Sequence, residues 1–137
     1  MRNTGVRWSF WVIGTVALVW NTMGAANFLV QMNPDALAAY PEAERAIIAN
    51  RPLWATTGFA VGVFGGALGS VLLLLRKSAA LFVFALSLLG VIVATFHTFT
   101  ATSAFTVAAL APPLSALIVA AFLVWYSGRA ARAGRLG

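Results

Sequence analysis

His97 is the one histidine in a chain of 137 residues that has three acids, Asp35, Glu42 and Glu44, and no cysteine. An imidazole can relay a proton, bind a metal or activate a hydroxyl, but each task needs a second group at its own level. The three acids sit together between residues 35 and 44, while His97 lies in a long apolar run. A proton relay therefore has no second member. A zinc-like site wants three or four His, Cys or carboxylate ligands, and His97 has no companion, so no metal is expected. There is no Ser/His/acid set, no carboxylate pair, and no glycine loop between a strand and a helix to cradle phosphate. Gly65-Gly66 lies within an apolar helical stretch. The chain is not expected to be an enzyme, to carry catalytic residues, or to hold a cofactor. The simplest role for His97 is that of a hydrogen-bonded structural residue.

The residues around these groups must live in lipid. Hydrophobic residues make up 61% of the chain and charged ones 9%, against roughly a quarter charged in soluble domains. A spanning helix needs about 20 mostly apolar residues at 1.5 Å each to cross about 30 Å of hydrocarbon. Spans are expected at about 8–31, 52–75, 79–99 and 107–128. The fold class is all-α, a four-helix transmembrane bundle in one domain, with a short helical segment on the outer surface between spans one and two. Leu114–Ser127 is too short to cross alone, so span four must include residues upstream, where Pro112-Pro113 stands. Either it starts at Pro112 and runs past Arg129, or it starts near Phe105 and kinks at the prolines; proline's preference for the first turn favours the former. Trp8–Ala26 has some marks of a signal peptide, but the apolar run continues to Val30, and a retained helix is expected.

Charge placement sets the orientation. Arg2, Arg7, Arg76, Lys77, Arg129, Arg132 and Arg135 all fall on one side, with no acid. The other side carries Arg45 and Arg51 with the three acids, a net of −1, and 7 − 1 gives the formal +6. By the positive-inside rule the basic side, with both termini, is cytoplasmic. Trp8, Trp11, Trp125 and Tyr126 then fall at the inner interface, and Trp54 and Tyr40 at the outer one. Topology thus accounts for the basic excess, and no nucleic-acid partner is expected.

Between spans one and two, Asn33-Pro34 and Pro41 each mark a helix start, with Glu42 and Glu44 in the first turn of the second. These two short helices are expected to lie on the outer surface, with Leu37, Ile47 and Ile48 dipping toward lipid or the bundle. Span two carries Gly58, Gly62, Gly66 and Ser70 at four-residue spacing, flanked by Gly65 and Gly69. Small residues at this spacing let another helix approach closely. The partner is either a helix of the same chain, which is favoured, or a second copy.

Trp20, Gly24, Asn27 and Gln31 share one stripe of span one, with Asn21 about 100° round. At 1.5 Å per residue, Asn27 and His97 lie at matching depth, about 27–28 Å from the cytoplasmic ends, and Thr57 reaches the same level from outside. Trp20, Asn27, Gln31, Thr57, His97 and Thr98 are therefore the candidate ligand-binding residues of an outer-leaflet pocket beneath the 33–51 segment. The bland alternative is that polar residues glue helices together or collect near headgroup depth, where they cost least.

Trp20-Asn21-Thr22-Met23-Gly24-Ala25, Asn33-Pro34-Asp35-Ala36-Leu37 through Glu44-Arg45, Arg51-Pro52-Leu53-Trp54-Ala55 and Val63-Phe64-Gly65-Gly66 together resemble a family of small bacterial membrane proteins often labelled "sugar transporter". The resemblance covers roughly residues 8–100; beyond that only the apolar character and basic tail agree. It implies a four-helix protein of the bacterial inner membrane and a role in small-solute transport. The residues themselves offer few groups for sugar hydroxyls beyond Asn21, Asn27 and Gln31. Two readings follow. One is a protein with a binding or accessory role, partnered by the lipid bilayer, a larger membrane complex or a small-molecule or lipid-like ligand. The other is a sugar-like solute transporter or channel that works as a homodimer or larger homo-oligomer.

Overall fold

The computed structural model describes residues 8–101 and 107–137, so Arg2, Arg7 and Phe105 lie outside the described residues. The described residues are helical, with no strand among them: α1 (Trp8–Gln31), α2 (Pro34–Leu37), α3 (Glu42–Ala49), α4 (Leu53–Leu74), α5 (Ala79–Ala101) and α6 (Val107–Arg132). Four of these are long and apolar enough to cross a membrane: α1, α4, α5 and, from Ala111, α6. Their outer faces present Val16, Leu29, Phe82, Leu86, Leu89 and Ile118, each more than half exposed. A surface that apolar on a water-soluble monomer would aggregate, whereas lipid covers it at no cost. The protein is a multi-pass, all-α, four-helix membrane protein.

Prolines punctuate the chain at the end opposite the basic loop. Asn33 precedes Pro34, which disfavours a helical Asn33. Asn33 is accordingly extended, and its Oδ1 accepts from the Asp35 amide at 3.0 Å, capping α2. Pro41 precedes α3, whose first turn carries Glu42 and Glu44, and Pro52 precedes α4. At the basic end α4 stops at Leu74, and two residues on, Arg76 adopts φ 58°, with the Lys77 amide reaching back to the Leu72 carbonyl. This left-handed residue turns the chain sharply into α5.

The spans pack in chain order, α1 on α4, α4 on α5, α5 on α6. The glycine ridge of α4 explains the tightest of these contacts. Gly58, Gly62, Gly65 and Gly69 meet Gly90, Val91, Ser87 and Phe84 of α5, and Gly66 meets the Asn21 amide of α1. At Gly90 a Cβ would stand only 2.5 Å from the Gly58 carbonyl oxygen and 2.7 Å from the Gly62 nitrogen, so backbone touches backbone there. Ser87 Oγ uses that proximity to donate to the Gly62 carbonyl at 2.6 Å. Ser70, at the foot of the ridge, donates to the Gly66 carbonyl of its own helix. The ridge's partners are thus helices of the same chain.

α1 and α6 do not share such a close run. Their side chains meet at the basic end, where Phe10 and Tyr126 lie 6.3 Å apart between ring centroids. Phe10, Leu73, Phe84, Leu123, Tyr126 and Leu136 form the buried core of that end. One expectation changes here. Tyr126 is buried against Phe10 and stacks on Phe122, so it belongs to this core and not to an interfacial belt. The described part of α6 runs from Val107, ahead of the prolines, past Arg129 to Arg132, and its stretch of spanning length and apolarity is Ala111–Arg132. The chain is thus helical upstream of Pro112-Pro113, where the turn loses only the bonds that the two missing amides would make.

Candidate functional site

Beyond the basic-end core the four spans part to leave a cavity of about 570 Å³, within the range of small-molecule sites, about 300–1,000 Å³. Its walls come from one face of each span: Met23 and Gly24 of α1, Phe59 and Val63 of α4, Val91 and Ala94 of α5, Ala116 and Val119 of α6. Phe84 and Leu123 close it toward the basic end, and both belong to the packed core. Ile47 and Ile48 of α3, with Tyr40 before it, form the roof. This is why α3 is amphipathic: its isoleucines face the cavity while Glu42 and Glu44 stay exposed.

The sequence-derived residues largely converge on this space. Trp20, Asn27, Gln31, His97 and Thr98 all line it. Thr57 does not. It is exposed, about 200° round α4 from the cavity-lining Phe59 at 3.6 residues per turn, so depth matching brought it to the right level on the wrong face. His97 is buried, with its ring edge-on to Trp54 at 5.6 Å. Among the described residues, no group of three or more His or acidic side chains could hold a metal ion.

Three further residues line the cavity that are not among the candidate ligand-binding residues expected from the sequence. Asn21 is buried at the cavity floor, its amide donating to the Ala17 carbonyl at 2.8 Å. Tyr40 Oη donates to Asn27 Oδ1 at 2.9 Å and ties the roof to α1. Arg51 stands at the mouth, where Nη2 donates to Gln31 Oε1 at 2.9 Å and the guanidinium lies 5.0 Å over the Phe59 ring. Its Nε is buried and has no hydrogen-bond partner. A buried polar group left so costs about 1–3 kcal/mol. Burial also pulls the Arg51 pKa below its ordinary value, which reflects loss of water around the charge; a guanidinium nonetheless stays cationic at physiological pH. The signal that could have found Arg51 was its place one residue before Pro52, at the top of a span and on the side where acids outnumber bases.

A second, shallower groove of about 270 Å³ runs between α1 and α6, lined by Val12, Val16, Trp20, Val119, Phe122 and Leu123 among others. Trp20, Val119 and Leu123 also line the main cavity, so the two spaces adjoin along the α1–α6 seam. The polar collar of Asn27, Gln31, Tyr40 and Arg51 lies at the end of the cavity opposite the basic loop.

Comparison of the chain with protein-family models, with curated proteins and with solved structures returns no match.

Proposed function

We propose that this small membrane protein binds an amphiphilic, lipid-like ligand in the cavity beneath α3, in a binding or accessory role and without chemistry on the ligand. The observation that carries this reading is the cavity itself: largely apolar along the spans, with deeper polar groups such as Asn21 and Ser87 bonded to backbone carbonyls, a collar of Asn27, Gln31, Tyr40 and Arg51 at its mouth, and a groove adjoining it on the α1–α6 seam. A water-soluble ligand gains little from such walls, whereas an amphiphile matches both parts. The test is a structure determined in lipid. Elongated non-protein density between α1 and α6 supports the reading; α6 seated directly on α1 with the space closed contradicts it.

Transport of a sugar-like solute is the competing reading and follows from the family resemblance. The polar collar favours it, but the packed Phe10, Phe84, Leu123 and Tyr126 below the cavity offer no polar path to the basic end. Solute uptake into proteoliposomes would decide for it. In either case we place the basic end, with Arg76-Lys77 and the C-terminal arginines, in the cytoplasm of a bacterial inner membrane, and α2 and α3 outside. Reporter fusions after Lys77 and after Gly137 should both report cytoplasm, and an external signal at either position reverses the orientation.

A further inference from the structure

We infer that the ligand is a lipid with an anionic headgroup, held by Arg51 at the cavity mouth with its chain laid along the α1–α6 seam past Trp20. The inference rests on the binding reading above and adds the charge and the path. Arg51 is half-buried, lines the cavity, and has a neutral amide and an aromatic face as its partners, with Nε left over. A planar guanidinium whose only hydrogen bond among the described residues is the one from Nη2 to a neutral amide is suited to a phosphate oxygen, which accepts charge-assisted hydrogen bonds in fixed geometry. The carboxylate closest to this role is Glu44, which also lines the mouth but is exposed, so water screens it while Arg51's surroundings are drier.

The geometry also fits a chain of leaflet length. From Trp20 to Gln31, the partner of Arg51, α1 rises about 16 Å, and half of a typical hydrocarbon core is about 15 Å. Trp20 is 43% exposed and lines both the cavity and the groove, so it stands where a chain passing from bilayer to cavity would lie. A headgroup at Arg51 and a tail end near Trp20 would thus sit at the depths they occupy in the surrounding leaflet. The lipid would need to tilt little on entering.

The test uses the full chain purified in mild detergent and titrated with phosphatidylglycerol, phosphatidylcholine and inorganic phosphate, with bound lipid counted by native mass spectrometry. The wild-type chain should bind phosphatidylglycerol more tightly than phosphatidylcholine. Arg51→Gln should weaken phosphatidylglycerol about tenfold, the worth of one charge-assisted hydrogen bond, and leave phosphatidylcholine unchanged. Arg51→Lys should keep part of the preference, since charge remains and the planar fork is lost. Inorganic phosphate should not compete at concentrations comparable to the lipid, because it lacks the chain. Ala94→Phe, which fills the cavity, should abolish binding of both lipids. Equal affinity of the wild-type chain for both lipids, or an Arg51→Gln variant that retains the preference, overturns the role of Arg51 while sensitivity to Ala94→Phe keeps the cavity reading intact. Competition by inorganic phosphate at matched concentration overturns the lipid as the ligand. Lipid binding indifferent to Ala94→Phe overturns the cavity reading itself.

Discussion

Tyr40 links the roof to the bundle through one hydrogen bond, from its hydroxyl to Asn27 Oδ1. Asn27 sits on α1 in a region flanked by exposed apolar side chains such as Leu29 and Met23. An amide at such a place needs a partner, and the tyrosine supplies it from outside the span. Arg45 fixes the approach to α3 from the other side, donating to the Ala38 and Tyr40 carbonyls. Tyr40→Phe removes the hydroxyl and leaves the ring. The expected loss is about 0.5–1.5 kcal/mol of local stability, seen as faster hydrogen–deuterium exchange across Glu42–Ala49 with exchange in α4 and α5 unchanged. Unaltered exchange in α3 would mean that the roof is held by Ile47 and Ile48 alone.

At the scale of the helices, the contact between α4 and α5 rests on glycine. Gly90 faces Gly58 and Gly62 so closely that no side chain fits, and the obstacles are backbone atoms, which have nowhere to go. Gly90→Leu should therefore cost more than the usual overpacking penalty of about 1–3 kcal/mol, read as a clear fall in thermal stability in detergent. Leu89→Ala, on an exposed position one residue away, should change it little. Equal Tm values for the two would remove the close approach. This ridge was legible in the sequence because its cause is local: a four-residue repeat of small residues has few uses other than close packing. The short helices were legible for the same reason, since Asn33, Pro34, Pro41 and Pro52 act on their immediate neighbours. The cavity was only half legible. Depth along a span can be counted, and it placed Asn27, Gln31, His97 and Thr98 together. Facing cannot be counted without knowing which helices are neighbours, and Thr57 fell on the wrong side for that reason. Tyr40 and Arg51 join the site through loop geometry, which no periodicity reports. Pro112-Pro113 lies within α6 because proline's preference for a first turn is a tendency that packing can override.

For the molecule as a whole, the two ends of the bundle differ in kind. The basic end is a packed core, tied together where the Ser78 amide bonds the Gly137 carbonyl and the Gly137 amide bonds the Arg76 carbonyl. Among the described residues, the other end leaves a cavity between the spans that α3 roofs. A bundle meant only to pack would be expected to close along its full length, since every void forfeits contacts that its walls could make. The central claim is that this cavity holds an amphiphile. Native mass spectrometry of the chain, released from mild detergent without added lipid, tests it most directly when the wild-type chain is set beside Ala94→Phe. A bound amphiphile is expected to be carried through purification by the wild-type chain and to be missing from a folded Ala94→Phe chain, with the loaded wild type the more stable of the two. A bare wild-type chain, or the same bound mass on both, would contradict it.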